Sequence, residues 1–310
     1  MNREGLRKGA FVVCLAAAAT PWLGTTLALV LGMGFGLILG NPWPRKTARM
    51  SKIALQVSVV GLGFGLELGE VVQTGRESVV YTMVGISCTI AAGFLLGRLF
   101  GNRGNTSALI TFGTAICGGS AIAALAPVIE AEDEETAVAL ATVFTLNSVA
   151  LLAFPLVGHL LHLDQRLFGT WAGLAIHDTS SVVGAAAAYG SQALAVGTTV
   201  KLTRALWITR VVILAALFRK SRQKIAIPLF IIGFVVAATM RTLLPQYHPQ
   251  WDMLATAAKQ CLVVTLFLIG TGLRKEVLQE VGLRPLLQGV SLWLLVSTLT
   301  LAALLTLGLV

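Results

Sequence analysis

The chain has 310 residues, 56% of them apolar and 12% charged, with a formal net charge of +9. A soluble domain spends about a quarter of its residues on charge, so a water-soluble enzyme or nucleic-acid-binding domain is excluded. A mean hydropathy of +0.83 points instead to an all-α membrane protein, a polytopic helical bundle.

In chain order, residues 1–20 join a basic start to a short apolar run, which is the pattern of a signal peptide. No charge follows between Gly9 and Pro44, and the run is broken only at Pro21 and Trp22, so two short spans in a hairpin fit better. Segment A (23–40) leads into the basic cluster Arg45, Lys46, Arg49 and Lys52. Segment B ends in Gly61, Gly63 and Gly65. This pattern and the one at Gly32, Gly34 and Gly36 lack the strand–turn–helix setting of a nucleotide site and read as packing or a local break. Segment C (79–97) is charge-free, long enough to cross a bilayer core, and followed by Arg98 and Arg103.

Segment D (106–129) is charge-free and interrupted by Cys117, Gly118, Gly119 and Ser120. Paired glycines release the backbone from helical geometry, and N–H groups at a following helix start attract anions. The same glycines would equally serve close helix packing. Glu130–Glu135 is read as a solvated acidic run at a helix start, where negative charge suits the dipole, and not as a metal site. Segment E (136–158) carries Asn147.

Segment D′ follows, an apolar run (167–176) that meets His177, Asp178, Thr179, Ser180 and Ser181 before a second apolar run (182–200). Asp178 can cap the next half-helix, and Ser180 and Ser181 can donate to a ligand. His177 and Asp178 are the candidates for proton coupling. The composition alone would also fit a surface loop. On segment E′, starting near Ala193, Lys201 and Arg204 stand three apart on one face, two or three turns into the membrane. Two buried cations need counter-charge, expected from Asp178 and a bound anion; snorkelling to the headgroups is the alternative. Arg210, nearer the inner end, is expected to snorkel. Arg219, Lys220, Arg222 and Lys224 then precede segment A′ (225–244), Arg274 and Lys275 close segment B′, and segment C′ (286–310) ends the chain. Cys14, Cys88, Cys117 and Cys261 are far apart, suggesting neither disulfides nor a metal centre.

Three faint internal matches suggest a repeat. Gly63, Gly65, Leu66 and Gly75 recur as Gly270, Gly272, Leu273 and Gly282, and Gly34-Phe35 recurs as Gly233-Phe234. Phe112-Gly113-Thr114, Ile116 and Ser120 recur as Phe168-Gly169-Thr170, Ile176 and Ser180 if four residues are inserted. Thr142-Val143 then aligns with Thr199-Val200, and Asn147 with Arg204. The order is A-B-C-D-E followed by D′-E′-A′-B′-C′. With basic loops inside, A, B and C run opposite to their mates, and E opposes E′ only if D and D′ are re-entrant. The expectation is inverted repeats, about nine spans plus two re-entrant hairpins, with eleven crossings as the alternative. The pseudo-repeat elements would be residues 23–163 and 164–310 of a single transmembrane domain.

The runs AICGGSAIAALAPVI and TVFTLNSVALLAFPLVG, then GLAIHDTSSVVGAAAAYG followed by KLTR, resemble the YeiH-type family over nearly the whole chain. Its members are described as sulfate exporters or uncharacterised membrane proteins. The resemblance implies a multi-pass bacterial inner-membrane protein, distantly similar to cation/proton antiporters and anion transporters built from inverted repeats. The sequence thus leads us to expect a non-enzymatic secondary transporter of a small inorganic or organic anion, elevator-like, without cofactor or metal, its N-terminus cytoplasmic. Substrate would meet Cys117, Gly118, Gly119, Ser120, Asn147, Thr179, Ser180, Ser181, Lys201 and Arg204, with proton coupling at His177 and Asp178 left open. Its partners would be that anion and membrane lipid, not nucleic acid, with a homodimer also left open. The rival readings are a cation/proton antiporter centred on Asp178, a membrane enzyme using Cys117 and His177, and a non-transporting membrane protein.

Overall fold

The computed structural model describes residues 3–102, 104–205, 229–272 and 282–307. Arg103, Arg210, Arg219, Lys220, Arg222, Lys224, Arg274 and Lys275 lie outside the described residues, as does most of the stretch after Gly272 from which the B′ match was read. The described residues form α-helices, one 3-10 turn (Pro245–Tyr247) and no strand. In order, the helices are α1 (Arg3–Ala18), α2 (Thr25–Ile38), α3 (Pro44–Gly63), α4 (Leu68–Leu99), α5 (Asn105–Ala115), α6 (Gly119–Leu125), α7 (Asp133–Leu160) and α8 (Gln165–Ala175). They continue as α9 (Thr179–Tyr189), α10 (Ser191–Ala205), α11 (Leu229–Leu243), α12 (His248–Gly270) and α13 (Leu283–Leu307). Among the described residues, four helical stretches, Leu68–Leu99, Asp133–Leu160, Pro245–Gly270 and Leu283–Thr306, are long and apolar enough to cross a membrane. Their outward faces carry large apolar side chains such as Leu95, Leu156, Met253 and Leu299, which suits a lipid solvent.

The chain divides into two compact units, Met1–Val72 with Pro228–Lys275, and Gln73–Ile227 with Glu276–Val310. In the first, α3 and α12 pack along each other, α2 lies on α12, and α11 lies on α3. Small residues set these approaches. A Cβ on Gly63, at the end of α3, would come 3.0 Å from the Ala237 methyl of α11. One on Gly270, at the end of α12, would come 2.7 Å from the Leu29 carbonyl and Met33 nitrogen of α2. The two glycines that the sequence pairs thus have reciprocal neighbours. Gly34 and Gly233 do not: the space beside Gly34 is open, whereas a Cβ on Gly233 would meet Val60 at 2.9 Å. Phe11 seats α1 against Phe35, Trp43 and Phe267.

The second unit is built on two helical hairpins. In the first, α6 turns back on α5, so that a Cβ on Gly113 would lie 3.0 Å from the Ile122 side chain. In the second, α9 returns to the start of α8. Tyr189 stacks on Phe168, its hydroxyl donates to the Leu163 carbonyl, and Gln165 Oε1 accepts from Gln192 N at 2.9 Å. The helix that follows each hairpin runs parallel to the hairpin's first arm. Asn105 Nδ2 at the start of α5 donates to Glu135 Oε2 at the start of α7 at 3.1 Å. Gly173 of α8 faces Val200 of α10, where a Cβ would meet it at 2.9 Å. Asn105, Ala115 and Gly119 bound the first hairpin's elements where Gln165, Ala175 and Thr179 bound the second's, sixty residues on in each case. This constant spacing needs no four-residue insertion. At that spacing Gly113 corresponds to Gly173, and each faces a valine of the following helix, Val143 and Val200, whereas the match of Phe112-Gly113-Thr114 to Phe168-Gly169-Thr170 lies one helical turn away.

A buried Gln288 ties α13 to the first hairpin and α4. Its Oε1 accepts from Asn102 Nδ2 at 2.6 Å, and its Nε2 donates to Gly93 O, Ser107 O and Thr111 Oγ1 at 3.0–3.2 Å. Every polar atom of that amide is used, as a low-dielectric interior demands.

Candidate functional site

The two hairpin turns meet. α5 stops at Ala115, and the chain reverses through Gly118, whose φ of 64° lies in the left-handed region open to glycine. A Cβ there would be 3.4 Å from Asp178 Cβ in the other turn. The second reversal is achieved without glycine: Ile176 is extended, and Asp178 caps α9. The Asp178 carboxylate accepts from Ser180 N at 3.0 Å, Ser181 N at 3.4 Å and the Ser180 hydroxyl, satisfying donors that a helix start leaves open. Asp178 N donates to Asn147 Oδ1 of α7 at 3.3 Å.

Lys201 and Arg204 of α10 are buried, 0% and 2% exposed, so they do not snorkel. Their donors reach the C-terminal ends of both first arms. Lys201 Nζ donates to Ile116 O at 3.2 Å and Ile176 O at 2.7 Å. Arg204 Nε donates to Ala115 O at 2.9 Å, Nη1 to Leu174 O and Nη2 to Ala115 O. A helix end leaves its last carbonyls without intrahelical partners and concentrates roughly half a negative charge there. Two such ends converge here, and the two cations satisfy both. Part of the counter-charge that the sequence reading assigned to a bound anion therefore comes from backbone carbonyls. Most of the donors of Lys201 and Arg204 are thereby engaged.

Other polar groups around the turns have no partner. His177 is 1% exposed, and neither of its ring nitrogens is hydrogen-bonded. Asn147 Nδ2 and Thr114 Oγ1 are buried and unpaired as well, and so is Thr198 Oγ1 further back along α10. Cys117 is a buried thiol in the first turn. Of the residues expected from sequence, Cys117, Gly118, Asn147, His177, Asp178, Ser180, Ser181, Lys201 and Arg204 come together in this cluster. Thr179 is half-buried at its edge, Gly119 packs toward the Phe144 ring, and Ser120 is exposed rather than inside. Sequence reasoning missed Thr114, Thr198 and the carbonyls of Ala115, Ile116, Leu174 and Ile176. A threonine on an apolar helix gives no signal, and backbone carbonyls become binding groups only where a helix stops. Among the described residues, no three His, Cys, Asp or Glu side chains cluster as a metal site would require.

Residues 9–289 match the family described as Conserved hypothetical protein 698. The chain is 66% identical over 304 residues to a UPF0324 membrane protein of Geobacter sulfurreducens, covering 98% of both. It is 49% identical to one of Bdellovibrio bacteriovorus, over 98% of this chain and 96% of that one. To one of Porphyromonas gingivalis it is 50% identical, over 91% and 87% respectively. No solved structure matches. Full-length identity at this level, together with a helical fold carrying the expected hairpin motifs, means that the chain belongs to the UPF0324 family of membrane proteins, the YeiH-type group.

Proposed function

We propose that this protein is a secondary transporter of a small anion, with its site at the two hairpin turns. The charge balance of the buried cluster carries the reading. Lys201 and Arg204 contribute two positive charges and Asp178 one negative. The two helix C-termini and the two helix N-termini at the turns, at roughly half a charge each, cancel. One positive charge remains, and a bound monoanion neutralises it. The unpaired His177, Asn147, Thr114 and Thr198 atoms support the reading, because buried polar groups ordinarily find partners.

In this proposal both hairpins are re-entrant, their first arms of eleven residues being about 16 Å long, half a bilayer core. The matched hairpin boundaries and the reciprocal neighbours of Gly63 and Gly270 support inverted repeats and nine spans. Inner-membrane insertion with a cytoplasmic N-terminus follows from the basic loops. The division of the chain into one unit with both hairpins and another with neither supports the elevator-like reading.

A second reading, a cation/proton antiporter, is favoured by the half-buried position of Asp178. Asp178→Asn separates the two, and asparagine caps a helix as well as aspartate does. In proteoliposomes the anion transporter should bind its anion more tightly in this variant. Removing a like charge about 6 Å away at an effective dielectric constant of about 20 contributes up to roughly 3 kcal/mol. Loss of proton-coupled cation flux with no change in anion binding would instead establish the antiporter.

A further inference from the structure

Helix α3 gathers its positive charge on one side. Arg45, Arg49 and Lys52 stand four and three residues apart, on one face over two turns, and all three are exposed, as is Lys46 beside them. Charge in a loop orients a membrane protein whichever way it points, so orientation alone does not call for this alignment. No acidic residue lies on α3, and among the described residues none of the four cations has an ion-pair partner. The row that starts at Lys46 turns apolar: Met50, Ile53 and Val57 follow at helical spacing and are 53%, 51% and 59% exposed. From Lys46 to Val57 the helix rises about 16 Å, the depth of one leaflet's hydrocarbon. Other sides of α3 are covered by α11 and α12, with Val60 against Gly233 and Gly61 against Ala258.

We propose that this face of α3 binds an anionic phospholipid of the inner leaflet, with its phosphate among Arg45, Lys46, Arg49 and Lys52 and an acyl chain along Met50, Ile53 and Val57. The inner leaflet follows from the cytoplasmic start of α3 in the orientation proposed above, whatever ion the protein carries. Charge complementarity selects the occupant. A zwitterionic headgroup brings as much positive as negative charge to four unpaired cations, whereas an anionic one brings net compensation. Arginine grips phosphate oxygens in pairs through its planar fork, and Arg45 and Arg49 present two such forks one turn apart. An acidic soluble protein would also meet the cations, but it cannot follow the apolar row into the bilayer. A free phosphate leaves that row unused. A phosphate with its chain attached fits both parts of the face.

The test titrates the purified full chain, in a neutral detergent, with dioleoylphosphatidylglycerol or dioleoylphosphatidylcholine and reads the bound lipid by native mass spectrometry. The anionic lipid should bind at least about tenfold more tightly, since each basic residue beside an anionic headgroup contributes about fivefold. Arg45→Gln, Arg49→Gln and Lys52→Gln combined should remove that preference. Arg76→Gln, Arg98→Gln and Arg284→Gln combined takes the same charge from exposed positions on α4 and α13 and should keep it. Glutamine is as good a helix former as the residues replaced, so the fold stands in both variants. A large excess of sn-glycerol 3-phosphate should displace little of the lipid. Equal affinity for the two lipids, an equal loss in both triple variants, or full displacement by glycerol phosphate each overturns the inference. Binding of neither lipid also overturns it and leaves the face to an acidic cytoplasmic partner. None of these outcomes bears on the anion-transporter reading, which the Asp178→Asn comparison tests separately.

Discussion

If Arg204 closes the C-terminal ends of α5 and α8, its loss should show first in stability. Arg204→Met keeps an unbranched stem and most of the volume of the side chain, though it ends two atoms short, so the void it opens is small. It removes the donors to the carbonyls of the buried residues Ala115 and Leu174. A buried carbonyl left without a partner costs about 1–3 kcal/mol, so two cost about 2–6 kcal/mol. That is a large share of the roughly 5–15 kcal/mol by which a folded domain outweighs its unfolded chain. Cys117, 2% exposed in the first turn, provides the assay. With Cys14, Cys88 and Cys261 replaced by serine, a thiol-reactive dye reports the temperature at which the turn opens. We expect Arg204→Met to open roughly 5–15 °C below the parent, and Arg204→Lys to recover about half, since one ammonium reaches one of the two carbonyls. A midpoint within about 2 °C of the parent would refute the capping role and return Arg204 to the position of a direct anion ligand.

The remaining predictions concern the turns and the topology. Gly118→Ala places a side chain at φ 64° and 3.4 Å from Asp178, so it should cost about 1–2 kcal/mol and lower flux in proteoliposomes severalfold. Normal flux would mean that this reversal tolerates a side chain. Tyr189→Phe removes the hydroxyl bond to Leu163 at the open end of the second hairpin. Amide exchange in α9 should then speed up by about fivefold, for about 1 kcal/mol lost, while unchanged exchange would assign the closure to ring stacking alone. If both hairpins are re-entrant, cysteines introduced at Glu132 and Leu161 should be labelled from opposite faces of the membrane, Glu132 from the cytoplasmic one. Labelling of Glu132 from outside only would restore eleven crossings.

Much of this protein is legible in its residues because a bilayer restricts the alternatives. Charge-free runs of bilayer length can only be helices, since backbone groups in hydrocarbon must pair within their own segment. Breaks in such runs, at Gly118-Gly119 and at His177–Ser181, stand out because polar or flexible residues at depth are costly. The capping role of Asp178 was also readable, being a local interaction two or three residues long. The register between the two hairpins was not. In Gly- and Ala-rich helices, a match to Gly169 looks as good as one to Gly173, a turn further on. Only the contacts with Val143 and Val200 choose between them. The partners of Lys201 and Arg204 were equally out of reach. Sequence says that two cations are buried and need compensation, but not that two helices end beside them. Helix ends converge through tertiary packing, and a backbone carbonyl acquires a free lone pair and a share of the dipole only where its helix stops. That convergence determined how much of the charge of Lys201 and Arg204 the protein itself compensates.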